Sequence, residues 1–172
     1  MMPGTHLLLG LCFSFGVLII FPFIGFFGLI IILLASVLID VDHYIAYIRA
    51  GNGWSARKAY FWYIHPKNTI KDFVEKAFVP FHSIEFLLII LFCIFGFRLI
   101  SPILSIFFFY ILLGCLFHLI LDLIFIIYQK LQGHHKEAYI KISFVYTYCK
   151  NMLLLKSEHK KNLAFFNQNQ KV

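Results

Sequence analysis

Residues 7–39 read LLLGLCFSFGVLIIFPFIGFFGLIIILLASVLI, a run without a single charge from Leu7 to Ile39. A helix needs about 20 residues to cross the hydrocarbon layer of a bilayer, so this run is too long for one span and suits two short ones. Pro22, with Gly25 and Gly28 close behind, supplies the break, because proline removes an amide donor and clashes with the preceding turn. The expectation is a first helix near residues 6–21 and a second near 23–41. Two further apolar stretches, Ser83 to Ile100 and Ile103 to Tyr128, are separated by Pro102 and give a third and a fourth. Short, broken helices persist in lipid only where neighbours satisfy the freed backbone groups, so a compact bundle is implied.

The rest of the chain agrees with a membrane reading. Of 172 residues, 61% are hydrophobic, 19% aromatic and 13% charged, with 22 phenylalanines, whereas a soluble globular domain carries roughly 25% charge. Cys12, Cys93, Cys115 and Cys149 lie in or beside apolar runs at wide separations, which fits neither a thiolate metal site nor a disulfide framework. They read as small core hydrophobes. No basic stretch precedes Leu7 and no small-x-small cleavage site follows the apolar run, so the first helix is expected to be retained and not removed as a signal peptide.

The net charge of +7 comes from 15 Lys+Arg against 8 Asp+Glu, and its placement matters more than its size. Arg49, Arg57, Lys58, Lys67, Lys71 and Lys76 fall between the second and third spans, and Lys130, Lys136, Lys141, Lys150, Lys156, Lys160, Lys161 and Lys171 follow the fourth. The opposite turns, around Pro22 and from Arg98 to Pro102, hold only Arg98. With four crossings, the positive-inside rule puts both termini, the loop and the tail in the cytoplasm, so the expected location is a plasma or inner membrane. The basic residues are scattered and no recognition module is visible, so no nucleic-acid partner is expected. The fold class expected is all-α, an integral membrane bundle of four short transmembrane helices with an interfacial loop and a C-terminal amphipathic segment. Residues 1–130 form the bundle, with loop 44–80 held at the headgroup level by Trp54, Tyr60, Trp62 and Tyr63, and residues 131–172 form a cytoplasmic or interfacial tail. Within the tail, 138–155 reads as an interfacial helix, with a short strand or a fifth crossing as alternatives, and 162–172 as a disordered polar end.

An ionisable residue inside an apolar span costs roughly 2.5–3.5 kcal/mol on insertion scales, so each one calls for a reason. They are His6 at the start of the first helix, Asp40, Asp42 and His43 at the end of the second, His82 and Glu85 at the start of the third, and His118 and Asp122 in the fourth. With a rise of 1.5 Å per residue, His6 stands about 21 Å above the far turn, Asp40 about 24 Å, His82 about 26 Å and His118 about 22 Å. All return to nearly one depth near the cytoplasmic interface. Asp40 with His43, His82 with Glu85, and His118 with Asp122 are spaced three or four apart and share helix faces. Singly, a histidine in a span is more often an interhelical hydrogen-bonding residue, and an aspartate at a helix end more often a cap. Together they form the donor set that Zn²⁺, Mn²⁺ or Fe²⁺ would take, with zinc first, and they exceed what one tetrahedral ion can use. Two ions, or one ion with orienting groups and a general base, are the alternatives. His65, His134, His135 and His159 have no such support and read as surface residues.

The elements Thr5-His6, Asp40-Val41-Asp42-His43, Phe81-His82-Ser83 and His118-Leu119-Ile120-Leu121-Asp122 stand in an order that resembles the YdjM-like family of membrane-bound metal-dependent hydrolases, over residues 5 to 122. That family shows Thr-His before an apolar helix, Asp-x-Asp-His closing the second, Thr-His-Ser opening a later one and His-x-x-x-Asp in the next. Its members usually carry Pro-Asp where this chain has Ile39-Asp40, and a His-Arg where this chain has Ala77 to Phe81, so an arginine clamp for phosphate has no counterpart here. Lys71 or Lys76 would act there only as point charges. The His-x-x-x-Asp element is also similar to one in zinc-dependent phospholipase C proteins, while the Ser-Gly-His signature of membrane phosphatidate phosphatases is absent.

The function expected is a membrane-embedded hydrolase in which one or two divalent ions activate water against an ester or phosphoester, on a lipid or a phosphorylated small molecule, among the membrane lipids at the cytoplasmic interface. Asp42, His82, His118 and Asp122 are the expected primary ligands, with Asp40, His43 and His6 as further ligands or orienters and Glu85 or Asp40 as general base. A metal-binding structural or regulatory membrane protein without turnover is the first alternative, and a small transporter of divalent metal or protons the second.

Overall fold

Phe21 closes the first helix and Pro22 starts a 3₁₀ turn, Pro22–Ile24, which ends at Gly25 with φ of 64°. That left-handed backbone is open to glycine and strained for a residue with a Cβ, so the break expected at Pro22 is completed by Gly25. The computed structural model describes residues 3–64 and 79–132. Among them the chain forms α1 (Pro3–Ile20), α2 (Gly25–Leu38), α3 (Val41–Arg49), α4 (Ala56–Ile64), α5 (Ile84–Arg98) and α6 (Pro102–Leu131), with a second 3₁₀ turn at Pro80–His82 and no strand. The expected segment 138–155, the polar end, His65, His134, His135, His159 and Cys149 lie outside the described residues.

The chain divides into two units, one holding α1, α2, α5 and α6 together with Asp40 and His82, the other holding α3 and α4. In the first, α2 packs against both α1 and α6, and α5 packs on α6. A close approach of α2 and α6 occurs at Gly114. A Cβ there would stand 2.7 Å from the Ala35 Cβ, 3.0 Å from the Ser36 amide nitrogen and against the Ile32 carbonyl, so only glycine lets the two backbones touch. Elsewhere the seam is filled by Ile24, Ile31, Ile32 and Tyr110, and by Ile39, Ile90 and Cys115. The Ser105 hydroxyl donates to the Ile94 carbonyl at 2.8 Å and ties α6 to α5.

This unit buries several polar residues beside its apolar seam and exposes many large apolar ones. His6, Ser14, Ser36, Ser105 and His118 are buried, whereas Ile19, Phe23, Phe92 and Ile103 are each at least 77% exposed. Two helical stretches, Pro22–Arg49 and Pro102–Tyr128, are long and apolar enough to cross a membrane. The other two expected spans are shorter. α1 has 18 residues and α5 has 15, or about 27 and 22 Å at 1.5 Å per residue.

The second unit replaces much of the expected interfacial loop with helix. α3 carries Asp42 in its first turn and Arg49 in its last, each charge complementing the helix dipole. Tyr44 donates its hydroxyl to the Trp54 carbonyl and Tyr47 to the Asn52 carbonyl, pinning the turn whose Gly51 and Gly53 have positive φ. The Tyr47 and Trp62 rings meet edge to face, 5.8 Å between centroids, joining α3 to α4.

Candidate metal centre

The site begins with the way α2 ends. In a continued helix the Asp40 amide would bond to the Ser36 carbonyl. Here the Asp40 amide turns to the Val37 carbonyl at 3.3 Å, and the expected second helix, near 23–41, stops at Leu38. The Ser36 carbonyl instead accepts from His118 Nδ1 at 2.7 Å, in a buried contact between α2 and α6. A carbonyl cannot donate, so Nδ1 carries a proton, and in the neutral imidazole Nε2 is the nitrogen whose lone pair is open to a metal. Gly114 lies one turn before His118, so the glycine contact brings the imidazole within reach of that carbonyl.

Three further donor atoms gather around this nitrogen. His118 Nε2 stands 3.2 Å from His82 Nε2, 3.5 Å from Asp40 Oδ1 and 3.3 Å from Asp122 Oδ2. His82 Nε2 is itself 3.5 Å from Asp40 Oδ1 and 3.7 Å from Asp122 Oδ2. His82 ends the 3₁₀ turn at Pro80–His82, and the Ser83 hydroxyl caps α5 by accepting from the Phe86 amide at 3.3 Å. The His82 and His118 rings are inclined at 72°, so their in-plane lone pairs can point to one spot. Beyond this group, His6 Nε2 lies 3.2 Å from the other oxygen of Asp122, Oδ1, and the His6 ring stacks on His118.

Ligands about 2.05 Å from a tetrahedral ion stand about 3.3 Å apart. Five of the six separations among His82, His118, Asp40 and Asp122 run from 3.2 to 3.7 Å, close to that edge length. Charge points the same way. With both imidazoles neutral, two carboxylates beside the His118 Nε2 would set lone pairs against a lone pair, and one proton on His82 Nε2 could satisfy only one of its neighbours. A divalent cation satisfies all four and neutralises both carboxylates. By donor type and distance the residues therefore fit a metal ion, in two overlapping groups that share His118: Asp40–His82–His118 and His6–His118–Asp122.

The structure thus joins five of the sequence-expected residues, His6, Asp40, His82, His118 and Asp122, within one unit. Asp42 and His43 belong to the other unit, where Asp42 is buried and its Oδ1 stands 3.1 Å from His43 Nδ1. Glu85 is half-buried in the first turn of α5 and belongs to neither triad. Sequence reasoning missed the Ser36 carbonyl and Gly114. The first leaves no letter in a sequence, and the second was readable only as a small residue one turn before His118. No family model matches the chain, and no curated protein or solved structure matches it either.

Proposed function

We propose that the chain is an integral membrane protein whose bundle holds a divalent ion, zinc first and manganese or iron next, and that it hydrolyses an ester or phosphoester at the cytoplasmic headgroup layer. The observation that carries this reading is His118, with Nδ1 held by the Ser36 carbonyl and Nε2 aimed at His82 and two carboxylates. A backbone acceptor that fixes the tautomer of a ligating histidine is the usual support of a protein metal site. The apolar exterior of the unit supports the membrane setting, and the isolation of Arg98 at the far turns supports a cytoplasmic site. The resemblance to the YdjM-like family supplies the direction of hydrolysis, and the location suggests a lipid or lipid-linked substrate.

A divalent ion held there supplies Lewis acidity, which lowers the pKa of water and polarises the bond to be cut. The protein's own contribution is position. His118 is buried and His82 nearly so, whereas Asp40 is 26% exposed and Asp122 24%, so the carboxylate edge of the site is the one open to water and substrate. With Asp40 among the ligands, Glu85 in the first turn of α5 is the candidate to take the proton of the attacking water. Four protein ligands would fill a tetrahedral shell, so turnover would require a fifth position for water at this exposed carboxylate edge. The transporter reading is weakened because the described far half of the bundle carries no carboxylate or histidine to continue a path.

The test is turnover. Purified protein in anionic lipid vesicles, loaded with Zn²⁺, Mn²⁺ or Fe²⁺, is offered carboxyl esters, phosphomonoesters and phosphodiesters, water-soluble and lipid-linked. Chelator-sensitive hydrolysis that disappears in His118→Ala is expected. A metal-loaded protein inert towards every class would favour the structural or regulatory role.

A further inference from the structure

His6 approaches the donor set from α1, and its chemistry differs from that of the other two imidazoles. Its ring lies on the His118 ring with centroids 4.2 Å apart and planes inclined by 18°. A histidine nitrogen binds a metal in the plane of its ring, where the lone pair lies. An ion in the plane of His118 therefore stands about a ring thickness outside the plane of His6, and the two nitrogens cannot share it. His82, at 72° to His118, has no such obstacle.

The hydrogen bonding of His6 agrees. Its Nε2 faces Asp122 Oδ1 at 3.2 Å, while its buried Nδ1 has no partner among the described residues. Moving the proton of a neutral His6 to Nδ1 would leave a buried donor without an acceptor, so the neutral ring keeps Nε2 as the donor to Asp122. The two oxygens of Asp122 are then divided, Oδ1 accepting from His6 and Oδ2 turned to His118 and His82. We infer that His6 is a positioning residue, not a ligand: it fixes the Asp122 carboxylate and backs the His118 ring, and the bundle holds one ion on Asp40, His82, His118 and Asp122. The inference rests on the metal reading above and narrows its ligand set and ion count.

The experiment is titration of the full-length chain in detergent with Co²⁺, reading ions per chain, affinity and the ligand-field bands, for the parent, His6→Gln and His6→Phe. Gln keeps an N–H donor, and Phe keeps the stacked ring without one. One ion is expected in all three, with bands in the same place. Affinity falls about 10- to 100-fold in His6→Phe and is recovered in part by His6→Gln. Two ions in the parent with one in the variants, bands that move in His6→Gln, or undiminished affinity in His6→Phe would each overturn the inference while leaving the metal centre standing. A parent that binds no Co²⁺ would remove the metal centre itself. A variant that is not helical and monodisperse is replaced by His6→Asn, read in the same way.

Discussion

At His118 the two ring nitrogens have separate tasks, and the surroundings decide which is which. The Ser36 carbonyl claims the Nδ1 proton, so Nε2 is the nitrogen turned to His82, Asp40 and Asp122, the one that would meet the proposed ion. His118→Gln, which cannot reproduce both contacts, is expected to lose metal altogether, as measured by equilibrium dialysis. Asp40→Asn removes one negative charge from the open edge while keeping its shape. It is expected to weaken binding by more than the about 10- to 100-fold typical of an orienting group, and a milder effect would place Asp40 outside the ligand set. These residues were legible in the sequence because their depths agreed: His6, Asp40, His82, His118 and Asp122 each fall about the same distance from a far turn. Which of them bind and which support was not legible, because that depends on ring planes and on a backbone carbonyl.

At the scale of the helices, the site depends on how closely α2 and α6 approach. Gly114→Leu has no room against Ala35 and the Ile32 carbonyl, so it should part the helices and withdraw His118 from Ser36. Metal binding is expected to be lost, whereas Gly96→Leu, at a position with open space around it, should bind as the parent does. Loss in both would show a general intolerance of bulk. Ser105→Ala removes the bond to the Ile94 carbonyl and should destabilise the α5–α6 pair by about 0.5–1.5 kcal/mol, measurable by denaturation in detergent. The helices themselves were anticipated within a few residues, since proline and the apolar runs mark their ends. The stop of α2 at Leu38 was not, because no proline or glycine stands there, and the helices α3 and α4 were hidden in a segment whose aromatic residues suggested a loop at the interface.

For the whole molecule, the exterior is apolar and two carboxylates, Asp40 and Asp122, stand among imidazoles inside the bundle, where a bound cation would neutralise them. Binding should therefore stabilise the fold, by about 2.7 kcal/mol when free metal is 100 times Kd, seen as a rise in Tm that chelator reverses. The placement of the basic residues predicts the proposed topology. A fluorescent reporter fused after Val172 should mature in the cytoplasm, and a periplasmic-type reporter inserted at Ser101 should be active outside it. The reverse pattern would place the site on the other face of the membrane.

The central claim is that the bundle binds a divalent ion through His118, His82, Asp40 and Asp122. Metal content per chain, measured on detergent-purified protein prepared without chelator and then offered Zn²⁺, Mn²⁺ and Fe²⁺, tests it most directly, with His118→Ala and Asp122→Ala alongside. The account predicts one tightly held ion in the parent and none in either variant. No ion in the parent, or an ion retained in both variants, would contradict it and leave these residues as polar contacts between helices.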